Sequence, residues 1–208
     1  MLHLSIVNPN REFCSVAERQ FSAHEGVEII HGRFEDAGHF DCIVTAGNSF
    51  GLMDAGIDLA VVKYFGTEIQ DRIQLEIISD YLGEQPVGTS IIVPTGNPRH
   101  PFVAHSPTMR IPANISGTDN VYLAMWGTLL AIHRHNKIEK KRIEYLLCPG
   151  LGAGTGGLDP EEATLQMLMA YEHFIAPPEF LNGSFAQRRH ERVHYGAKWG
   201  FEHPRDIS

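Results

Sequence analysis

The sequence predicts an α/β fold, and three observations carry that expectation. Short stretches rich in Val and Ile alternate with longer segments of helical periodicity, the order in which strands and crossover helices follow one another. Two of the stretches, "DCIVTA" and "YLLCP", are apolar almost throughout, as in central strands covered on both faces. A third, "CPGLGAGTGGLDPEEA" at 148–163, sets five glycines within eight positions between such a strand and a well-marked helix start.

In chain order, "LHLSIV" reads as the first strand, residues near 11–21 as a helix, and "VEIIHG" and "DCIVTAG" as the next two strands. Residues 57–82 are helical in pattern with a break around Gly66, and "TSIIVPT" and "PFVAHS" are two further strands. In "DNVYLAMWGTLLAIHRHN" the apolar Tyr122, Met125, Leu129 and Ile132 recur at steps of three and four. They predict a helix over 119–135 with Thr118 or Asp119 as N-cap. "HRH" at 133–135 lies at its end, where His complements the helix dipole. After the strand "RIEYLLCPG", Asp159 is placed as N-cap and Pro160 at the first helical position. Glu161 and Glu162 stand in the first turn, and Ala163, Met167, Ala170 and Phe174 form the apolar face. Beyond "APPE" the chain turns basic and aromatic with weak periodicity, which reads as a tail laid on the core. The expected organisation is one domain over 1–177 and a C-terminal extension over 178–208, packed on that domain or trailing from it.

Composition narrows the function classes. A chain of 208 residues that is 43% hydrophobic accommodates one domain with a full core. A formal charge of −8 argues against duplex nucleic acid as partner, because phosphate tracking requires clustered Lys and Arg. Cys14, Cys42 and Cys148 are far apart with no CxxC pair, so they read as reduced thiols of a cytoplasmic protein. Cys42 and Cys148 fall on strands expected to be buried, which favours inert packing. No apolar run approaches the ~20 residues of a membrane helix, and "MLHLSIVNPNRE" lacks the features of a signal peptide.

The glycine loop has a physical use. Successive amides without Cβ atoms can converge on phosphate oxygens, and the dipole of the following helix adds to the attraction. Gly152, Gly154 and Gly157 also satisfy the dinucleotide pattern GxGxxG. A Rossmann-type dinucleotide enzyme, however, wants an acidic residue ending another strand ~20 residues later, and here the next helix runs into "APPEF". A P-loop is excluded because no Lys-Ser or Lys-Thr follows the glycines. A second loop runs from strand to helix in "DCIVTAGNSFGLMDAGIDLAVVKYFG" (41–66), with Asn48 at the strand exit and Asp58 ten residues on. Two such loops make a cleft.

The pair of loops resembles the macro domain, the ADP-ribose-binding fold. "TAGN" (45–48) stands where that family reads NAAN, "GID" (56–58) where it reads Gly-Val-Asp, and "GLGAGTGGLDPEEA" is similar to its diphosphate-gripping loop. "NSFGLMDAGID" with "SPTMRIP" (106–112) looks most like the group found in phages and bacteria. The resemblance covers about residues 2–176 and implies a three-layer α/β/α sandwich with a central mixed sheet. It implies ligand contacts from Phe34, Asn48, Ser49, Gly56, Ile57 and Asp58 on one side. On the other it implies Gly152, Ala153, Gly154, Thr155, Gly156 and Gly157, whose amides would cradle the diphosphate. Asn48 would bind the distal ribose, and Asp58, beside the anomeric carbon, would orient water, which makes these two the catalytic candidates. No cofactor and no metal are implied.

Four positions depart from the family, one of them Asp54, which stands where the family often has Gly and adds a negative charge near the expected ligand. Gly156 falls where MacroD-type hydrolases carry an aromatic residue, and Ala55 where the lysine-dependent members carry Lys. Arg33 falls where many members read adenine with Asp, and a guanidinium has no acceptor. Two readings follow. One is a hydrolase or phosphatase acting on ADP-ribose-1''-phosphate, O-acetyl-ADP-ribose or mono-ADP-ribosylated protein. The other is a reader of ADP-ribose or a related nucleotide without turnover. Asp58 also fits the N-cap of a helix beginning at Leu59. "HERVH" (190–194) matches the zinc motif HExxH but lacks the apolar face of a buried helix, so a surface role is expected. His100 and His105, which flank a strand, read as structural.

Overall fold

Residues 2–193 are described in a computed structural model of the chain. The elements run β1 (His3–Asn8), α1 (Arg11–Gln20), β2 (Val27–His31), a 3-10 turn (Phe34–Asp36), β3 (Cys42–Thr45), α2 (Gly56–Phe65) and α3 (Glu68–Tyr81). They continue as β4 (Ile91–Pro94), β5 (Phe102–His105), α4 (Asn120–Ile138), β6 (Tyr145–Pro149), α5 (Pro160–Ile175) and α6 (Gly183–Val193). The break expected at Gly66 separates α2 from α3, where the glycine takes φ +101. No helix among the described residues is long and apolar enough to cross a membrane.

The strands form one six-stranded sheet in the order β2-β1-β6-β3-β5-β4. Every pairing is parallel except β4 with β5, so the sheet is mixed. Alternation along the strands sorts the core into two layers. Leu4, Ile6, Cys42, Val44, Leu146 and Cys148 face α1, α4 and α5, while Val7, Ile43, Leu147 and Val103 face α2 and α3. The result is the three-layer α/β/α sandwich that the resemblance implies. Burial pushes the Cys42 and Cys148 thiols far above their ordinary range, in keeping with inert packing.

Local chemistry fixes the helix starts. Asp159 accepts from the Glu162 amide at 3.1 Å and caps α5, as its sequence predicts. Asp119 holds the N-cap position of α4 without a side-chain bond, while the Thr118 hydroxyl accepts from the Asn120 amide at 3.4 Å. This helix runs on to Ile138, so "HRH" lies inside it. His135 reaches past the helix end to the Lys141 carbonyl at 2.8 Å.

The segment read as a tail contains α6. Asn182, which in "NG" looks like a turn residue, accepts from the Phe185 amide at 2.8 Å and starts this helix. Arg189 stacks over the Trp126 ring of α4 at 4.7 Å, and Arg192 pairs with Glu172 of α5. The helix buries none of its residues fully: half-buried Val193 packs on the core beside these ion-pair and cation-π contacts. Of "HERVH", His190 and Glu191 lie on α6 and His194 falls outside the described residues.

The parallel direction of β1, β3, β5 and β6 brings their carboxyl ends to one edge. Because β6 lies between β1 and β3, the loops after β3 and β6 are neighbours there. Close approach of α4 to the turn before β4 helps hold this arrangement. A Cβ on Gly127 would lie 2.5 Å from the Gly88 carbonyl oxygen, a backbone atom with no freedom to move away. Gly127→Ala is therefore expected to cost about 1–3 kcal/mol of stability with the fold retained, as read by chemical denaturation with the wild type alongside.

Candidate functional site

A cleft of about 720 Å³ opens at the carboxyl edge of the sheet. Its walls are the ends of β1 and β6, the loops after β2, β3 and β5, and the first turn of α2. Its charged side chains are Glu12, Arg33, Glu35, Asp54 and Asp58, and Arg33 is paired with Glu35 at 3.0 Å. Side-chain charge in the cleft is thus mainly negative. Attraction for an anion must come from the backbone.

The backbone supplies it twice. In the loop after β6 the amides of Gly152, Ala153, Gly154, Thr155 and Gly156 donate to no described residue, and all five residues line the cleft. The loop is held by bonds that leave those groups free: Gly157 N–H to the Gly154 carbonyl at 3.0 Å, Leu158 N–H to Gly152 at 3.2 Å, and Ile115 N–H to Gly156 at 2.9 Å. Gly152 takes φ +72, and a side chain there would overlap Val121. Opposite, α2 begins at Gly56 with Ala55 as N-cap and no side-chain cap bond. The amides of Gly56, Ile57 and Asp58 therefore have no partner among the described residues and stand at the positive end of the helix dipole.

This moves the helix terminus that serves the site. The sequence points to α5, but Pro160 has no amide hydrogen and the Glu162 amide is taken by Asp159. The bare terminus is that of α2. Asp58 is likewise not the N-cap of a helix starting at Leu59: it stands in the first turn of a helix that has already begun.

Asp58 is 6% exposed, and its Oδ1 is buried without a hydrogen-bond partner among the described residues. Burial first, then the charge of Asp54, pushes its carboxyl up to about 7. Asn48 also reaches the cleft, but much of its amide is spent on its own loop. Nδ2 donates to the Leu52 carbonyl at 2.8 Å, and Oδ1 accepts from the Phe50 and Leu52 amides at 3.1 and 3.3 Å. One N–H remains for a ligand.

Two expected contacts lie off the cleft wall. The Ser49 side chain is buried against the Met109 carbonyl at 3.5 Å, and Gly157 turns toward Asn114. Phe34 lines the cleft but is only 3% exposed, its ring set edge-on to Tyr64 at 5.4 Å. Gly156 cannot carry a ring in this loop, since a Cβ there would lie 2.6 Å from the Gly152 carbonyl oxygen.

One further residue stands behind the cleft wall unannounced by any motif. The β3–β5 register sets Thr45 beside His105, and His105 Nε2 comes up behind Gly47. His105 is fully buried, with Nδ1 at 2.7 Å from Gln85 Oε1 and Nε2 without a partner, and burial drops its pKa to about 4. Among the described residues no group of three or more His, Cys, Asp or Glu is arranged to hold a metal.

Fold and cleft together define an α/β sandwich with two runs of bare amides lining one cleft at an edge of its sheet. The sheet order separates it from the Rossmann arrangement, in which the glycine loop follows the first strand rather than the last. The family model for the macro domain matches residues 44–167, and the chain belongs to that family. An uncharacterized protein of Aquifex aeolicus is similar at 29% identity over 149 residues, 71% of this chain and 82% of that one. The macrodomain of Mycobacterium tuberculosis DarG superposes with a TM-score of 0.57 at 22% identity, covering 68% of this chain and 87% of that one. A mutant of the Oceanobacillus iheyensis macrodomain with ADPR gives 0.53 at 21%, covering 68% and 73%. The Trypanosoma brucei macrodomain in complex with ADP-ribose gives 0.54 at 15%, covering 83% and 57%.

Asp58 makes a specific prediction about stability. The folded protein holds this proton up to about pH 7, whereas the unfolded chain releases it near 3.8, the ordinary value for Asp. Its ionisation therefore lowers stability as pH rises between those values. Asp58→Asn is expected to be more stable than wild type by about 3–4 kcal/mol at pH 8. The gain should shrink as pH falls toward 4, and urea denaturation across this range reads it.

Proposed function

We propose that the protein binds ADP-ribose or an ADP-ribose derivative, and that Asp58 serves its hydrolysis. The observation that carries the reading is the pair of unpaired amide runs, Gly152–Gly156 and Gly56–Asp58, on one cleft. Such donors suit a diphosphate in a site whose side chains are mainly acidic, because they attract the anion without needing Lys or Arg. The named ADP-ribose complexes of related macrodomains support the choice of nucleotide. In this reading residues 1–177 form the binding domain and 178–208 an extension to it.

With the diphosphate held by the amides, the distal ribose lies toward Asp58 and the remaining N–H of Asn48. A buried carboxyl with no structural partner costs stability, and groups of this kind serve as acids and bases. Asp58 as carboxylate would orient or deprotonate a water beside the anomeric carbon. The substrates to which this applies are ADP-ribose-1''-phosphate, O-acetyl-ADP-ribose and mono-ADP-ribosylated protein. A second reading, a reader without turnover, is favoured by Gly156, where the backbone excludes the aromatic ring expected of MacroD-type hydrolases.

Calorimetry with ADP-ribose, AMP, ATP and NAD tests binding. ADP-ribose is expected to bind most tightly, with a Kd on the order of 1–100 μM, and no heat at high micromolar concentration would overturn the reading. Assays on the three substrates then separate enzyme from reader. Asp58→Asn is expected to lower kcat on the preferred substrate by about 100-fold or more. The wild-type rate should rise with pH through a midpoint near that of Asp58, at about 7. Equal turnover by Asp58→Ala and wild type would remove Asp58 from the mechanism.

A further inference from the structure

Charge is not spread evenly along the cleft. In the sheet, β1 and β6 stand between β2 and β3, so the loops after β2 and β3 reach the cleft from opposite sides of the glycine loop. The loop after β2 brings Arg33, already paired with Glu35 at 3.0 Å, and its Phe34 meets α2 at the last turn, through Tyr64. The loop after β3 and the first turn of α2 bring Asp54 and Asp58. Beside them the loop after β5 adds Thr108, Met109 and Pro112 to the wall but not Arg110, which is held by Glu84 through Nε at 2.6 Å and Nη2 at 2.9 Å. Among the described residues no Lys or Arg except Arg33 lines the cleft.

Asp54 is exposed on this rim and forms no ion pair among the described residues. Its charge reaches Asp58, whose proton it helps to hold. With a diphosphate on the amide runs, the groups left for a substituent on the anomeric carbon are Asp54, Asp58 and the spare N–H of Asn48. A phosphate there carries about two negative charges at neutral pH and meets a carboxylate with no cation to offset it. An acyl ester is uncharged and gains nothing from Asp54. A guanidinium does gain: it stays cationic with ribose on one nitrogen, has no acceptor, and offers several N–H donors to a carboxylate. Its charge also favours the carboxylate form of Asp58, whereas a phosphate favours the protonated form.

We infer that Asp54 is a specificity-determining residue, and that the cleft takes ADP-ribose joined to a guanidinium, the arginine side chain of a modified protein, in preference to ADP-ribose-1''-phosphate. The exposed rim on which Asp54 stands is where a chain bearing that arginine would leave the cleft. The inference rests on ADP-ribose as the ligand of the proposed function. It concerns binding, so it holds for a reader as for a hydrolase.

The test is calorimetry with ADP-ribose, ADP-ribose-1''-phosphate and ADP-ribosyl-agmatine, whose guanidinium stands for that of arginine. The last two are made with a methylene in place of the distal ring oxygen, so that neither is turned over. The wild type is expected to bind the agmatine conjugate about tenfold more tightly than the 1''-phosphate, and Asp54→Asn should cut that ratio by about tenfold. Asp54→Glu should keep the preference. Glu12→Gln, which removes the same charge from the wall formed by α1, should leave the ratio within about twofold of the wild type. Equal or tighter binding of the 1''-phosphate by the wild type, or a ratio that Asp54→Asn does not move, would overturn the inference while ADP-ribose itself still binds. Absence of ADP-ribose binding would instead remove the proposed function, and the inference with it.

Discussion

Backbone amides at the ends of buried strands find partners unless the chain reserves them, and this site depends on that reservation. The loop after β6 closes on itself through the carbonyls of Gly152 and Gly154 and is tied to Ile115 through that of Gly156, which leaves the amides of Gly152 through Gly156 without partners among the described residues. Side chains would defeat the closure: one at Gly152 would strike Val121, and one at Gly156 would strike the Gly152 carbonyl. The loop after β3 reserves its amides by a different route. Asn48 spends its side chain holding the Phe50–Leu52 backbone, and α2 then begins at Gly56 with no side-chain cap. The parallel sheet supplies the remaining requirement by setting these loops on adjacent strands.

That constraint explains the acidic character of the cleft. With the anion held by fixed dipoles, carboxylates can stand in the same cavity without abolishing attraction, provided one of them is kept neutral. Asp58 meets the condition through burial, its proton retained to about pH 7. The same burial lowers His105 to about 4, so between about pH 4 and 7 an uncharged carboxyl in the cleft wall has an uncharged imidazole behind it. Gly47 permits this because any Cβ would occupy the space between them.

The sequence disclosed the layers and both loops because these rest on local rules. Apolar runs mark β3 and β6, Asp159 and Pro160 mark the start of α5, and glycine spacing marks the amide run. What it concealed depends on contacts between distant residues. α6 shows little apolar face because Arg189 on Trp126 and Arg192 on Glu172 share its docking with the half-buried Val193. Ser49 reads as a ligand contact by position alone, yet the crossing at Met109 buries it. His105 looks structural in sequence, since only the pairing of β3 with β5 brings it behind Gly47. The good cap of α5 points to that terminus in the sequence, but a well-capped terminus has fewer amides to offer, and it is α2 that begins without a side-chain cap.

The central claim, that two runs of bare amides grip the ligand, is tested most directly by amide-resolved NMR during titration with ADP-ribose. The account predicts that the largest shifts fall on the Gly152–Gly156 and Gly56–Asp58 amides, moving together toward the values of charge-assisted hydrogen bonds. Shifts confined to side chains of the cleft, or to one loop with the other unmoved, would contradict it.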